Sequence, residues 1–285
     1  MAKRAAPGAS KDKSMKKNKI RLIVLALLVV LTIVIIILIG NRTRLKGPES
    51  IAFNPSNGSF LISNTLGKNI LSQDASGKLT VFIDKAFKAP KGITVDLPYL
   101  YVADMDILHI IDIPSVKIVS SVKIEGAQNL NDIAIDDKGL IYITDTAANS
   151  IFIYDSTRQS QAVLKNDLLI APNGIVFDAP RKQMLIVCFT DKSPILSLNT
   201  ETRKLDVFMN TVYNELDGIA IDELGRIYFS SWKERAIFVI PQEQNRYEVF
   251  RRDLRSPADI YYHQADSKLM VPQWEKNKVI SFPLN

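Results

Sequence analysis

The stretch Leu216–Ile221 reads Leu-Asp-Gly-Ile-Ala-Ile, and it decides the fold because the chain contains five similar stretches. In each copy a polar, charged or small residue precedes a short apolar run. The six copies are Pro48–Phe53, Pro90–Val95, Leu130–Ile135, Pro172–Phe177, Leu216–Ile221 and Pro257–Tyr262. Corresponding residues lie 42, 40, 42, 44 and 41 positions apart. A period of about 40–45 residues that holds several short strands is typical of β-propeller blades.

Each copy also divides into short strands separated by turn residues. The third copy predicts four strands, at 132–135, 140–144, 150–154 and 161–164. The last copy predicts only three, at 260–262, 269–271 and 279–282. The runs are rich in β-branched residues, and the connections are rich in Asp, Asn, Ser and Gly. We therefore predict an all-β, six-bladed propeller over residues 47–285, with residues 41–47 lying along the last blade to cover its exposed edge.

The N-terminal region predicts a single transmembrane helix before the propeller. Residues 22–39 carry no charge, and Thr32 is their only polar residue. Eighteen helical residues span about 27 Å, close to the ~30 Å hydrocarbon core of a bilayer. The run is longer than the apolar region of a cleaved signal peptide. The predicted organisation is a basic cytoplasmic tail at 1–21, a signal anchor at 22–40, a juxtamembrane linker at 41–46 and the propeller at 47–285.

The charge distribution predicts the orientation and argues against a nucleic-acid partner. Residues 1–21 hold eight basic residues and one acid, whereas the whole chain has a net charge of +6. The remaining residues are therefore close to neutral, and a basic stripe on the folded domain has no support. Because three basic residues follow the apolar run, against eight before it, the positive-inside rule places the N-terminus in the cytoplasm. The propeller is expected outside the cytoplasm, in the periplasm or the extracellular space.

One column of the repeat predicts a polar site on the propeller axis. The first strand of each blade lines the central channel, so the residues just before the apolar runs converge there. These residues are Glu49, Lys91, Asn131, Asn173, Asp217 and Ala258. Carboxylate and carboxamide oxygens are the ligands that hard cations such as Ca²⁺ prefer. The alternative is a hydrogen-bonded channel mouth in which Lys91 neutralises Glu49 and Asp217.

Four motifs in this column resemble those of a known family. Gly47–Glu49 is similar to an opening glutamate motif, Ala171–Gly174 to a Pro-Asn-Gly motif, and Leu216–Asp222 to an Asp-Gly-(x)3-Asp motif. Leu130–Asp132 is similar to an Asn-Asp motif. In this order, one per blade, they resemble the regucalcin/gluconolactonase/luciferin-regenerating-enzyme-like family of six-bladed propellers, which is close to the NHL-type repeats. The resemblance covers residues 47–285.

The resemblance implies a metal site and a hydrolytic role. In that family the residues at the places of Glu49, Asn173 and Asp217 bind one divalent cation, usually Ca²⁺ or Zn²⁺. The aspartate at the place of Asp217 is the proposed general base, and the asparagine at the place of Asn131 contacts substrate or metal-bound water. A divalent ion would polarise a lactone or ester carbonyl and lower the pKa of a bound water, and Asp217 would accept the proton.

Two residues depart from the family pattern. The family's enzymes often carry an arginine two residues before the asparagine of the Asn-Asp motif, and here that place is Asn129. Lys91 adds a cation to the ring, where its ammonium either holds an anionic substrate or fills the place of the metal. Both departures weigh against a sugar lactone as substrate more than against the fold.

Two functions from different classes therefore remain open. The first is a membrane-anchored, metal-dependent hydrolase of a lactone or ester. The second is a non-catalytic propeller that binds a protein or a small ligand, because propellers carry many unrelated functions. A lyase or synthase on the same scaffold is a third, weaker possibility.

The remaining chemically notable residues are predicted to be structural. Cys188, the only cysteine, lies in an apolar strand pattern and is expected to be buried. His109 and His263 are too few for a histidine-rich zinc site. Asp104 and Asp145 recur 41 residues apart, directly after second strands, where they are expected to cap turns.

Overall fold

The computed structural model describes residues 19–32, 43–84, 86–242 and 244–284, and the chain forms two compact units, Met1–Thr43 and Arg44–Asn285. In the first unit residues 19–32 form helix α1, whose apolar side chains are exposed. The Thr32 hydroxyl donates a hydrogen bond to the Leu28 carbonyl (2.7 Å). Within the described ranges, no helix combines the length and the hydropathy that crossing a membrane requires. Residues 33–40 of the predicted anchor lie outside those ranges.

The second unit is a ring of six antiparallel sheets. Blade 1 contains β1 (Pro48–Asn54), β2 (Ser59–Asn64), β3 (Asn69–Gln73) and β4 (Leu79–Ile83). Blade 2 contains β5 (Pro90–Asp96), β6 (Tyr99–Asp104), β7 (Ile107–Asp112) and β8 (Lys117–Lys123). Blade 3 contains β9 (Leu130–Ile135), β10 (Ile141–Asp145), β11 (Ser150–Asp155) and β12 (Ser160–Lys165).

The other three blades continue the pattern, and the last has three strands among the described residues. Blade 4 contains β13 (Pro172–Asp178), β14 (Gln183–Cys188), β15 (Ile195–Asn199) and β16 (Leu205–Met209). Blade 5 contains β17 (Leu216–Ile221), β18 (Ile227–Ser231), β19 (Ala236–Ile240) and β20 (Glu248–Arg251). Blade 6 contains β21 (Tyr261–His263), β22 (Lys268–Gln273) and β23 (Lys278–Pro283). The predicted all-β, six-bladed propeller is confirmed.

In blades 3 and 5 a single aspartate stabilises the turn between the first and second strands. In blade 3, Asp136 Oδ1 accepts hydrogen bonds from the backbone N–H groups of Lys138 and Leu140, both at 2.9 Å. Gly139 completes this turn with a φ of +76°, a conformation that favours glycine. Asp222 makes the same two types of bond in blade 5, to Leu224 and Arg226. These carboxylates therefore stabilise the hairpin turns of their blades.

The core lies between neighbouring blades. The inner strands β1, β5, β9, β13, β17 and β21 contact one another in order around the ring, and β21 contacts β1 again. Each apolar cluster joins two adjacent blades; one packs Tyr101 and Leu108 of blade 2 against Ile133 and Ile143 of blade 3. Because every blade buries one face against each neighbour, no blade has a complete core alone.

Ring closure uses a bond that also occurs inside the ring. Between blades 3 and 4, the Asn149 side chain accepts a hydrogen bond from the Ala171 N–H (2.7 Å). Between blades 6 and 1, Asn277 Oδ1 accepts one from the Gly47 N–H (2.7 Å). Leu45 is buried with Met270 of the last blade and side chains of the first. The predicted contact of this segment with the last blade is therefore present for residues 45–47, although the segment also hydrogen-bonds to blade 1 through Thr65 and Leu66.

The buried polar residues of the blades behave as predicted. Cys188 is fully buried, and burial raises the pKa of its thiol to about 12. The Asp145 carboxylate accepts backbone N–H bonds from Gln128 and Asn129 (2.7 and 2.9 Å) and from the turn that follows β10. Asp104 accepts the corresponding bonds in blade 2. Both aspartates thus hold the loop that leads into an inner strand.

Candidate functional site

The predicted site residues lie at the starts of the inner strands, inside an irregularity that the blades share. In blades 1, 2, 4 and 5 the pairing register shifts between the first and fourth residues of the inner strand, as between Pro48 and Ile51. Blade 3 has the same shift, because Leu130 pairs with Asp145 whereas Ile133 pairs with Ile143. A bulge of this kind re-aims the side chains it contains. The five polar positions of the column, from Glu49 to Asp217, fall inside these bulges.

Hydroxyl side chains of the second strands fill the gaps that the bulges leave in the hydrogen-bond ladder. The Ser50 N–H donates to Ser63 Oγ (2.8 Å), and the Gly218 N–H donates to Ser230 Oγ (2.8 Å). The Ser230 hydroxyl in turn donates to the Ala258 carbonyl of the next blade (3.0 Å). The bulges are therefore fixed by bonds within a blade and between blades.

The three predicted metal ligands are all buried, and two of them have a side-chain oxygen without a partner. Glu49, Asn173 and Asp217 are 5%, 4% and 2% exposed. Within the described part of the chain, Asn173 Oδ1 and Asp217 Oδ1 are inaccessible to solvent and accept no hydrogen bond. Such atoms are rare in folded proteins because an unpaired buried acceptor is costly. Two orphaned oxygens beside a buried glutamate fit a bound cation.

The electrostatics of the site agree with that fit. Burial raises the pKa of the Asp217 carboxyl well above its usual range, and the carboxyls of Glu49 and Asp132 raise it further, whereas Lys91 lowers it. Burial also raises the pKa of Glu49, against the lowering effect of Lys91. Lys91 is half-buried and forms no ion pair within 4.0 Å in the part of the chain that the structure describes. Its ammonium lies near the two carboxyls without bonding to either.

The other two predicted residues lie at the same end of the ring. Asn131 is buried at the start of β9. Asn129 is half-buried just before it; its N–H donates to Asp145 and its carbonyl accepts from the Thr146 N–H (3.2 Å). These bonds use only the backbone of Asn129.

A second pair of carboxylates was missed by the sequence reasoning. Asp132 and Asp259 each occupy the position directly after the column, in blades 3 and 6. Asp132 accepts the Ile175 N–H (2.8 Å) and its own neighbour's N–H, and Asp259 accepts the Ser50 hydroxyl (2.6 Å). Burial raises the pKa of Asp132 to about 7 and that of Asp259 well above its usual range. The signal was visible in the aligned copies, where aspartate replaces glycine or serine at this position.

Glycine occupies that position in three other blades because the neighbouring backbone leaves no room. A Cβ on Gly174 would lie 2.3 Å from the Asp217 carbonyl oxygen, and one on Gly218 would lie 2.4 Å from the Ile260 nitrogen. The inner strands thus approach most closely just beyond the predicted metal ligands. This close approach sets the position of Asp217 relative to Asn173.

Beyond these contacts the inner strands line a cavity of about 320 Å³. Asp132 and Asp259 are its acidic lining residues, and the rest of the lining is largely apolar. It is lined by Ile51–Phe53, Ile93–Val95, Asp132–Ile135, Ile175–Phe177, Ile219–Ile221 and Asp259–Tyr262. Glu49, Asn173 and Asp217 do not line it.

The histidines and other acidic groups do not provide a competing metal site. His109 Nδ1 is 2.8 Å from Ser121 Oγ and its Nε2 is 3.4 Å from Asp104. His263 packs between Phe53 and Phe60. Among the residues that the structure describes, no three His, Cys, Asp or Glu side chains are grouped as metal ligands. The predicted set is of a different kind, because it joins two acidic residues to an asparagine.

Sequence comparison identifies the family. The model of the SMP-30/gluconolactonase/LRE-like region matches residues 47–271. The chain belongs to this family. The resemblance that the motifs indicate is therefore confirmed for the propeller of this SMP-30/gluconolactonase/LRE-like chain. A search of curated proteins finds no match to it.

Solved structures with the same fold include proteins of different activity. A gluconolactonase from Xanthomonas campestris is 15% identical, with a TM-score of 0.70 over 85% of this chain and 87% of that one. A calcium-binding regucalcin from Agrobacterium tumefaciens is 20% identical, with a TM-score of 0.64 over 80% and 82%. A chain of a nidogen/laminin complex is 17% identical, with a TM-score of 0.71 over 79% and 89%. At these identities the similarity shows the fold of this SMP-30/gluconolactonase/LRE-like chain and not its activity.

Proposed function

We propose that this propeller is a hydrolase of a lactone or ester that depends on one divalent cation, Ca²⁺ or Zn²⁺. The observation that carries the proposal is the pair of buried, unpartnered oxygens, Asn173 Oδ1 and Asp217 Oδ1, beside the buried carboxyl of Glu49. These three side chains would hold the cation. When bound, the cation would supply Lewis-acid polarisation of the substrate carbonyl.

The protein's own groups have distinct roles in the proposed reaction. Asp217 accepts a proton from the water as the water oxygen adds to the carbonyl carbon, and it gives that proton to the ring or ester oxygen when the bond from the carbon to that oxygen breaks. Asn131 and Asn129, at the entrance to the third inner strand, orient the substrate by hydrogen bonds. Lys91 attracts an anionic group of the substrate or of the carboxylate product, because its ammonium has no ion-pair partner within 4.0 Å among the described residues.

The test is the metal content of the full-length protein, purified in detergent and measured by elemental analysis, together with a lactone-hydrolysis assay. We expect about one divalent ion per chain and hydrolysis that a chelator abolishes. Asp217→Ala should lose the ion and lower kcat/KM by at least about 10²-fold, the scale of a lost general base. Glu223→Ala removes an exposed carboxylate of the same blade and should change neither quantity.

A protein that purifies without any divalent ion and cannot be loaded with one would contradict the hydrolase. That result would favour the non-catalytic alternative, a propeller that binds a protein or small ligand. Lys91 would then act as the counter-ion of Glu49 and Asp217, and Lys91→Met would reduce the stability of the fold rather than the affinity for a metal.

We also propose that residues 22–39 anchor the propeller to a membrane, with the N-terminus in the cytoplasm and the propeller in the periplasm or extracellular space. The uncharged run and the basic residues before it support this proposal. The internal bond of the Thr32 hydroxyl supports it as well, because a polar group in a bilayer needs an intramolecular partner. Resistance of the protein to extraction from membranes at alkaline pH, and access of an added protease to the propeller only from the outer side, test the anchor and its orientation.

A further inference from the structure

The residue that follows the second strand occupies an equivalent place in five blades. Its backbone N–H donates to the carbonyl that lies two residues before the site column of the same blade. The bonds are Thr65 to Gly47 (3.1 Å), Thr146 to Asn129 (3.2 Å), Phe189 to Ala171 (2.8 Å), Trp232 to Glu215 (3.0 Å) and Trp274 to Ser256 (3.0 Å). These five residues therefore form a rim at the end of the channel where Glu49, Asn173 and Asp217 lie.

The two threonines of this rim use their side chains to join neighbouring blades. The Thr65 hydroxyl donates to the Pro90 carbonyl (2.5 Å), and the Thr146 hydroxyl donates to the Pro172 carbonyl (3.1 Å). Pro90 and Pro172 immediately precede Lys91 and Asn173. On this side of the rim the side chains are short, and the hydroxyl of each threonine already donates its hydrogen bond to a backbone carbonyl.

The other side of the rim is a continuous aromatic surface. The rings of Phe189 and Trp232 meet edge to face, with centroids 5.6 Å apart, and those of Trp232 and Trp274 are 6.1 Å apart. We call these three half-buried residues of blades 4, 5 and 6 the aromatic arc. Trp274 also packs against Gly47, where a Cβ would lie 3.1 Å from its ring, so the arc reaches the strand that carries Glu49.

The aromatic arc contains an unused hydrogen-bond donor. Trp232 Nε1 is inaccessible to solvent and has no partner among the described residues. A buried indole N–H normally finds an acceptor. An acceptor atom of a ligand that lies against the arc would provide one once the half-buried indole turns towards it.

We propose that the aromatic arc is the subsite for the non-reacting part of the substrate, and that the substrate is a lactone or ester with a flat aromatic or apolar group rather than a polyhydroxylated sugar lactone. This inference rests on the hydrolase proposed above. Aromatic rings favour flat apolar groups through stacking and edge contacts. A sugar lactone would instead need several polar partners at the arc, whose three side chains offer only indole N–H donors.

The experiment compares two lactones with the full-length, metal-loaded protein. Dihydrocoumarin carries an aromatic ring, and glucono-δ-lactone carries hydroxyl groups. We expect a higher kcat/KM for dihydrocoumarin. Trp232→Ala should raise KM for dihydrocoumarin about tenfold, the loss of one good aromatic contact, with little change in kcat or in turnover of the sugar lactone. Trp232→Phe keeps a ring and removes the N–H, so a rise of about threefold is expected.

The matched control is Tyr99→Ala, which removes an exposed aromatic ring at the opposite end of the channel. It should leave both substrates unchanged. Equal effects of Trp232→Ala on the two lactones, or a preference of the parent protein for glucono-δ-lactone, would overturn the subsite while leaving the hydrolase in place.

A binding measurement separates the subsite from the hydrolase. Trp232 and Trp274 are the only tryptophans of the chain, so all tryptophan fluorescence comes from the arc. The carbocyclic ketone 2-tetralone has the shape of dihydrocoumarin and cannot be hydrolysed. Saturable quenching by 2-tetralone, weakened in Trp232→Phe, would support the subsite even if neither lactone is turned over. Unchanged fluorescence up to millimolar 2-tetralone would overturn it whether or not the protein is a hydrolase.

Discussion

Two sets of buried aspartates in this propeller show how differently the same side chain behaves in two places. Asp104 and Asp217 are each only 2% exposed. Burial acts to raise the pKa of Asp104, but hydrogen bonds from His109 and from the Ala89 and Lys88 N–H groups lower it below the usual range. The pKa of Asp217 is raised well above that range by burial and by the carboxyls of Glu49 and Asp132.

The pKa values of the two aspartates differ because of the hydrogen-bond donors around each carboxylate, since both are equally buried. Asp104 and Asp145 are at the ends of second strands, where backbone N–H groups of the incoming loop point at them. Asp217 is in a bulge of an inner strand, where Ser230 already satisfies the backbone and no donor is left for its Oδ1 among the described residues. A carboxylate with several donors stabilises a fold, whereas one without donors is suited to a cation that the chain does not itself provide.

The largest effect on stability is expected from the aspartates that accept several backbone hydrogen bonds, Asp104 and Asp145. Asp145→Ala would break four partly buried hydrogen bonds from backbone N–H groups, so we expect a loss of about 3 kcal/mol in the free energy of unfolding. For a domain of this size that corresponds to a fall of roughly 6–12 °C in Tm. Thermal unfolding followed by circular dichroism measures it.

The control for that variant is Asp155→Ala, which removes an aspartate from an exposed hairpin of the same blade and should cost about 1 kcal/mol or less. Metal content should be unchanged in Asp145→Ala. If Asp145→Ala instead kept full stability and lost the metal, Asp145 would belong to the axial site and the comparison would fail.

The buried carboxyls whose pKa is raised near the channel axis predict an unusual pH dependence for the metal-free protein. Because the folded pKa of Asp132 is about 7 and its unfolded value is near 3.8, its contribution to stability is fully present below pH ~4 and is lost as the pH rises through about 7. Glu49, Asp217 and Asp259 change in the same direction. We expect Tm of the chelator-treated protein to fall between pH 5 and pH 8, and added Ca²⁺ to restore it at the upper end.

Asp132→Asn should flatten that pH dependence, since it removes one of the titrating groups. Asp104 has the opposite sign: its depressed pKa contributes stability above pH ~4 that is lost as the pH falls. A metal-free protein whose Tm rises steadily from pH 5 to pH 8 would show that the axial carboxyls are not held in a protonated state.

The smallest effect is expected from the one lysine of the column. Lys91→Met removes a positive charge near Glu49 and Asp217, so the apparent Kd for Ca²⁺ should fall about three- to tenfold. Isothermal titration calorimetry measures this affinity. Lys88→Met, at an exposed lysine three residues earlier, should have no effect. Weaker Ca²⁺ binding in Lys91→Met would mean that Lys91 positions the ligands instead of competing with the cation.

The sequence was sufficient for the ring and for the place of the column. Residues such as Ile93, Ile133 and Ile175 recur at intervals of 40 and 42 positions and occupy the same packing position in successive blades, and each blade repeats the same inward-facing strand. Equivalent residues must therefore meet at one end of the axis. This is why the repeat alone groups Glu49, Asn173 and Asp217.

The second acidic layer could not be found in that way, and the aromatic arc only in part. Asp132 and Asp259 are one residue beyond the column, and only the bulges show which of two successive residues is turned towards the channel. The repeat places Trp232 and Trp274 after the second strands of adjacent blades, where an interpretation as core packing or as the edge of the channel mouth is open. The loop bonds of their blades show that they share one rim with Phe189. Such backbone irregularities are not encoded in a period of hydrophobic residues.

The buried thiol of Cys188 makes the opening of blade 4 measurable, because the thiol becomes reactive only when it is exposed. With a pKa of about 12 and no solvent exposure, it should be inert to thiol reagents at neutral pH as long as blade 4 is closed. The rate of labelling by a maleimide would then report how often the ring opens at blade 4. A cysteine introduced at the surface would meanwhile accept a dye without competition, so rim movements could be followed in the same molecule.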